Sequence, residues 1–326
     1  MPSKLEQLRE YSVVVADTGD LTAISQFRPR DCTTNPSLIL KAAQQPESAG
    51  LVQEVVEQAA RQGDAVDVVL DKLAVRFGVE LTKLVPGDVS TEVDALLSFD
   101  RDAMITKARS LIALYEAQGV GRDRVLIKLA ATWEGIRAAE VLEREGIRCN
   151  LTLVFSLEQA VACAQAGVFL ISPFVGRITD WYKKAEGRDG YPVEEDPGVQ
   201  SVRRIYTHFK AQGYSTVVMG ASFRSAAQVE ALAGCDRLTV SPALLGELDR
   251  DQGRLERALS PEVAPSASRE ERVTEPAFRW ALVDNQMAGE KLTEGIRLFH
   301  QDYLRLRESV QARLAQMPAP QAVPTS

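Results

Sequence analysis

Lys128 stands inside Val-Leu-Ile-Lys-Leu-Ala, an apolar run in which a charged amine is costly. Desolvation there penalises the ammonium and favours the free amine, the form that attacks a carbonyl to make a Schiff base. The same residue has a plainer reading, an ammonium paired with a carboxylate such as Asp17. Lys83, in Leu-Thr-Lys-Leu-Val, is a rival nucleophile on the same reasoning, and spacing does not separate the two. Asp17 and Glu92 are candidates for moving protons. A carbanion-forming reaction needs one group to take the proton of a substrate hydroxyl. It needs another, often through water, to help form and lose the carbinolamine. Asp17 is also placed to cap the turn Thr18-Gly19-Asp20, and Glu92 to stand in a first helical turn after Ser90 or Thr91. Arg177 and Arg224, with Ser222, make a candidate phosphate clamp, because paired guanidinium donors match a terminal phosphate. Taken singly, each arginine reads equally well as a surface charge.

Something must bring these scattered residues together. Eight strand-like runs recur: Ser12–Ala16, Asp31–Thr34, Leu81–Pro86, Val125–Ala130, Cys149–Phe155, Val168–Pro173, Thr216–Ala221 and Arg237–Pro242. Helical patterns with start and stop signals lie between them. Asn35-Pro36 and Asp196-Pro197 read as N-caps with proline at the first helical position. Ser156 with Gln159 makes a capping box closed by Gly167. A stripe of Ala108, Leu111, Ile112 and Tyr115 stops at Gly119. The last helix carries Leu292, Ile296, Phe299, Tyr303, Leu306 and Val310 on one face. Alternating strands and helices favour parallel pairing through right-handed crossovers, and eight units predict a single closed (β/α)8 barrel over residues 1–316. An open doubly wound sheet is the alternative, but the first strand lacks the Gly-rich turn of a dinucleotide site. Ser260–Thr274 reads as a polar loop, and residues 317–326, with three prolines, as a disordered tail.

In a barrel the site is built at the carboxyl ends of the strands. Asp17 closes the first run, Asn35 the second, and Glu92 follows the third. Lys128 lies late in the fourth, while Asn150 and Thr152 share one face of the fifth. Ser172 and Arg177 follow the sixth; Ser222 and Arg224 follow the seventh. Barrel phosphate sites usually use the loops after strands 7 and 8, so this clamp sits one unit early.

Composition narrows the classes. Among 326 residues, 38 Lys and Arg face 45 Asp and Glu, a net charge of −7, which offers no basic excess for nucleic acid or a membrane surface. With only His208 and His300, neither near a metal-ligand spacing, a zinc centre or histidine triad is not expected. Cys32, Cys149, Cys163 and Cys235 show no CxxC spacing, which fits reduced thiols in a cytoplasmic protein. The amino terminus lacks the apolar core of a signal peptide, and no apolar run approaches the ~18 residues of a membrane span.

The segments VVADTGD (14–20), TTNPSLIL (33–40), KLVPGDVSTEVDA (83–95), VLIKLAATWEGIRAAE (125–140), CNLTLVFS (149–156), GVFLISPFVGRITDWY (167–182), VVMGASFR (217–224) and AGCDRLTVSPALL (233–245) closely resemble transaldolases of the long bacterial and eukaryotic type. The resemblance covers nearly the whole chain in order. It implies transfer of a dihydroxyacetone unit from sedoheptulose 7-phosphate to glyceraldehyde 3-phosphate in the non-oxidative pentose phosphate pathway, with no cofactor and no metal. By that resemblance Lys128, not Lys83, is the Schiff-base lysine, and Asp17 carries the proton at carbon–carbon cleavage. Glu92 and Thr152 hold the catalytic water. Asn35, Asn150 and Ser172 bind substrate hydroxyls; Arg177, Ser222 and Arg224 bind phosphate. Phe174 matches the transaldolase pattern, where related fructose-6-phosphate aldolases carry tyrosine. Such an aldolase, releasing free dihydroxyacetone, is the rival enzyme, and a catalytically silent sugar-phosphate binder the rival of another class. The expected partners are sugar phosphates and, since the family is often dimeric, a second copy of the chain.

Overall fold

The computed structural model describes residues 2–262 and 270–317. Eight parallel strands close into one barrel in sequence order: β1 Val13–Asp17, β2 Asp31–Thr33, β3 Val89–Glu92, β4 Val125–Ala130, β5 Cys149–Val154, β6 Leu170–Pro173, β7 Val217–Gly220 and β8 Arg237–Val240. Helices cover the outside, as the alternation predicts.

The third strand lies elsewhere than expected. Leu81–Leu84 is the last turn of the helix Val66–Leu84, and β3 begins only at Val89. That helix buries Leu70, Leu73, Phe77 and Leu81, at helical spacing, together with Val69, Val75 and Val79 from other faces. It packs against several neighbours at once, so its apolar residues are dense enough to resemble a strand. The other seven strands match their expected runs to within a residue or two at the ends. Asn35 and Asp196 cap their helices as read, Asn35 accepting from the Leu38 amide at 3.0 Å. Half of the expected box at Ser156 forms. Its hydroxyl accepts from the Gln159 amide, but the Gln159 side chain bonds Phe155 N, Ala131 O and Leu153 O instead of reaching back.

Register sorts the barrel interior into layers. Pairs such as Asp17↔Thr33, Glu92↔Lys128, Lys128↔Asn150 and Met219↔Arg237 point the same way across neighbouring strands. The residues between them, among them Val14, Ala16, Ile127, Leu129, Leu151 and Leu238, pack outward into the main core under the helices. Inside, a small apolar layer of Val15, Leu126, Leu170 and Met219 fills the middle. Below it, at the amino ends, Arg237 binds Asp31 at 2.6 Å and Asp88 at 3.1 Å, while Arg148 binds Asp88 at 2.7 Å. The Phe169 ring faces both guanidinium groups. Removing one partner of a buried network strands the other charges. Arg237→Met is therefore expected to lower stability by about 3–5 kcal/mol, read as the urea midpoint, while the folded fraction keeps its activity because the substitution lies at the far end from the site. An unchanged midpoint would show that these ions are solvated.

The carboxy-terminal helix, Gln286–Leu314, spans two cores. Its first half lays Met287, Leu292, Ile296 and Phe299 over the barrel mouth, against Leu153, Phe155, Phe174 and Ala221. Its second half packs Leu306 and Val310 against the helices Pro36–Ala43, Ala49–Gln62 and Val66–Leu84. A bulge in β5 serves that contact. Leu153 takes a positive φ of 58°, the register shifts between Leu151 and Val154, and the side chain presses on Gly295, where a Cβ would lie 2.6 Å from Leu153 Cδ2. Of the expected tail, Met317 packs against the second core, and Pro318–Ser326 lie outside the described residues. Val263–Arg269 of the expected polar loop are also outside them.

Candidate active site

The upper interior layer holds the polar residues. Lys128 is almost wholly buried, its side chain 6% exposed, and its Nζ lies 3.2 Å from Glu92 Oε2. It also donates to the Thr34 carbonyl at 3.3 Å. The lysine's ion partner is thus Glu92, its register neighbour, and not Asp17. Lys83 is excluded by geometry. It lies on the outer helix, 59% exposed, with its ammonium on Glu80.

Asp17 ends β1 and accepts from Thr33 Oγ1 at 3.0 Å, and Thr33 in turn is 2.7 Å from Thr239 Oγ1. It does not cap the turn that follows; Asp20 does, accepting from the amides of Thr22 and Ala23. Burial raises the Asp17 carboxyl above its ordinary value, and the Lys128 charge opposes that rise. Glu92 ends a strand rather than opening a helix, and the short turn after it is capped by Asp94. Its carboxyl is raised for the same reason, with Lys128 again the main opposing charge. No described donor is aligned on Glu92 Oε2, so the Lys128 approach is an ion pair without a directed hydrogen bond. Thr152 Oγ1 is likewise buried without a described partner.

A hydrogen-bonded line crosses the layer. Asn150 Nδ2 donates to Ser90 Oγ at 3.1 Å, and Ser172 Oγ donates to Asn150 Oδ1 at 2.6 Å. Asn150 and Thr152 are fully buried.

Above them opens a cavity of about 210 Å³, lined by Asp17, Asn35, Lys128, Ser172, Arg177 and Arg224 among others. Asn35 therefore both caps its helix and faces the cavity. Arg177, on the helix Gly176–Glu186 after β6, lies between two rings, with its guanidinium carbon 5.1 Å from Phe174 and 5.2 Å from Phe299. Its Nη1 is buried without a described partner. Burial, and after it the neighbouring Arg224, hold this guanidinium below its ordinary value. Ser222 takes a positive φ of 61° in the loop after β7, and its carbonyl and Oγ each lie 3.3 Å from Arg224 Nη1. With eight strands in place, the two arginines do follow β6 and β7, one unit before the loops that usually hold phosphate in barrels.

The structure gathers all eleven sequence-derived residues at one end of one barrel, eight of them on the cavity wall. Glu92, Asn150 and Thr152 are not on that wall, and Glu92 faces a second, smaller cavity of about 40 Å³ with Asp71 and Tyr303. Six wall residues went unread: Thr33, Ala221, Phe223, Thr239, Ser241 and Phe299. Thr33 and Thr239 share the inward parity of Asp17, a signal present in the strand alternation. Phe299, 5.8 Å from Lys128 Nζ, looked like one more core residue of an amphipathic helix. The two histidines lie off the cavity wall, His208 on Glu270 and His300 near Asp94.

Comparison with known proteins identifies the family. A model of the transaldolase/fructose-6-phosphate aldolase family matches residues 14–310. The chain is 60% identical to a transaldolase of Rhizobium etli over 318 residues, covering 96% of this chain and 98% of that protein. It is 58% identical to a transaldolase of a Marinomonas species, covering 96% and 100%, and 58% identical to one from Agrobacterium fabrum, covering 96% and 98%.

Proposed function

Since the chain belongs to the transaldolase/fructose-6-phosphate aldolase family, we propose that it moves a dihydroxyacetone unit between sugar phosphates through a Schiff base on Lys128. The buried Lys128–Glu92 pair, its lysine on the wall of a cavity that Arg177 and Arg224 also line, is the observation that carries this reading. A ketose phosphate seated with its phosphate at the arginines directs its C2 carbonyl toward Nζ.

The free amine attacks C2 and gives a carbinolamine, whose hydroxyl leaves as water to form the iminium. Glu92 carries the protons of those two steps. Thr152 Oγ1, buried without a described partner, and the Glu92 carboxylate, whose Oε2 meets only the Lys128 ammonium, support a water held by the two side chains. Asp17 then takes the C4 hydroxyl proton, and the C3–C4 bond breaks with its electron pair flowing into the iminium. The aldose phosphate departs, leaving an enamine on Lys128. An acceptor aldehyde takes up the enamine carbon as Asp17 returns the proton, and hydrolysis of the new iminium frees the ketose and the amine. Asn35, Asn150 and Ser172 bind hydroxyls of the dihydroxyacetone unit, and the ring of Phe174 turns an apolar face to that unit where a hydroxyl would be able to donate a proton.

Release of free dihydroxyacetone is the competing outcome, because it uses the same lysine and differs only in what quenches the enamine. Incubation with fructose 6-phosphate alone is expected to stop at one enzyme equivalent of glyceraldehyde 3-phosphate. Adding erythrose 4-phosphate should restore turnover and yield sedoheptulose 7-phosphate. Steady dihydroxyacetone production without an acceptor would instead assign the aldolase activity.

We place the reaction in the cytoplasm. All four cysteines are buried free thiols, and no helix among the described residues is long and apolar enough to cross a membrane. The assembly we propose is a homodimer, as the resemblance implies.

A further inference from the structure

Of the two arginines at the cavity, one already has an anionic partner. Arg224 donates from Nε and Nη2 to Asp180 Oδ2 at 3.0 and 2.9 Å. Its stem runs over Gly176, where a Cβ would sit 2.6 Å from Arg224 Cγ, so the fork is aimed by backbone as well as by charge. Arg177, by contrast, is buried with an unpartnered Nη1. Two converging guanidinium groups repel until an anion arrives, and Asp180 neutralises one of them in the meantime.

Asp180 has somewhere else to turn. It lies one helical turn after Arg177, its side chain is 46% exposed, and it lines an outer groove of about 710 Å³ together with Lys184, Arg297, the Lys291–Glu294 pair and Glu290. A phosphate dianion and this carboxylate cannot both sit on one guanidinium fork without like-charge repulsion.

We propose that Asp180 is a positioning residue that holds Arg224 in place while the site is empty and yields it to the incoming phosphate. It thereby loosens phosphate binding and speeds phosphate release. The inference rests on Arg177 and Arg224 being the phosphate site. An enzyme that must let one aldose phosphate leave before another enters gains from a counter-ion that returns to the arginine at each departure. Both side chains are nearly half exposed, so the competition is mild and reversible.

The test is Asp180→Asn, with inorganic phosphate as the probe. Its inhibition constant and the KM for fructose 6-phosphate are each expected to fall about two- to fivefold. The KM for unphosphorylated glyceraldehyde as acceptor should not move, and Asp180→Glu should behave as the parent. In an Arg224→Gln background the Asp180→Asn effect should vanish. An Asp180→Asn variant with unchanged or weaker phosphate inhibition, beside an Arg224→Gln variant whose KM rises, would overturn the proposal and leave the phosphate site standing. If Arg224→Gln itself changes neither KM nor phosphate inhibition, the phosphate reading falls and the proposal with it.

Discussion

Lys128→Met is expected to lower turnover by about 10⁴-fold or more, because no other amine on the cavity wall can form the covalent intermediate. The arginine guanidinium groups there are not nucleophiles at neutral pH. The substitution suits the site sterically, since methionine fills a long narrow space and leaves the stem contacts in place. It does remove the partner of Glu92. That carboxyl is already raised by burial, so it takes up a proton and stays neutral when the ammonium is gone. The variant should therefore fold, with a urea midpoint near the parent's, and bind fructose 6-phosphate without converting it. Turnover within tenfold of the parent would remove Lys128 from the chemistry. Lys83→Met is the matched control and should be silent, as that side chain is exposed on an outer helix.

Asp17→Asn is expected to cost about 10²–10⁴-fold in turnover, the usual worth of a positioned proton carrier. The loss should fall on one step. Schiff-base formation draws on Glu92, so the variant is still expected to trap substrate on Lys128 under borohydride. What changes is the adduct. In the parent the reduced adduct carries the three-carbon dihydroxyacetone unit; in Asp17→Asn it carries the uncleaved hexose phosphate.

The pH profile should follow the same residue. Burial raises the Asp17 carboxyl, so at a given pH more of it is protonated than of an ordinary aspartate. The proton-accepting form is then lost as pH falls through a value above the ordinary one of about 3.9. The acid limb of kcat/KM, which reports the free enzyme, is expected there. A limb that persists in Asp17→Asn belongs to Glu92, which is raised for the same cause. A parent limb at or below the ordinary aspartate range would contradict the placement of Asp17 in a desolvated site.

The sequence disclosed most of this arrangement because a closed parallel barrel turns strand parity into position. Once Asp17, Lys128 and Asn150 are read as inward residues at strand ends, they must converge. The misplaced third strand did no harm to the site, since Glu92 closes the true strand and was selected for its chemistry. Its cause is local. The helix Val66–Leu84 is buried on several faces, and dense apolar sequence does not reveal its period over five residues. Which barrel carboxylate pairs with Lys128 was not legible for a different reason. Register decides that Glu92 stands beside it, and register is a property of the closed sheet and not of either strand alone. Phe299 was hidden because it sits 171 residues further along the chain than Lys128, and only the packing of the last helix over the mouth brings the ring to the amine. The pairing of Asp180 with Arg224 joins two segments 44 residues apart and shows only once both loops are placed.

The proposed reaction requires a covalent link between substrate and the buried amine at position 128. Incubation with fructose 6-phosphate and borohydride, followed by peptide mass spectrometry, tests it most directly. A reduced dihydroxyacetone adduct confined to the peptide that carries Lys128 is expected. An adduct on Lys83, or none while fructose 6-phosphate is shown to bind, would contradict it.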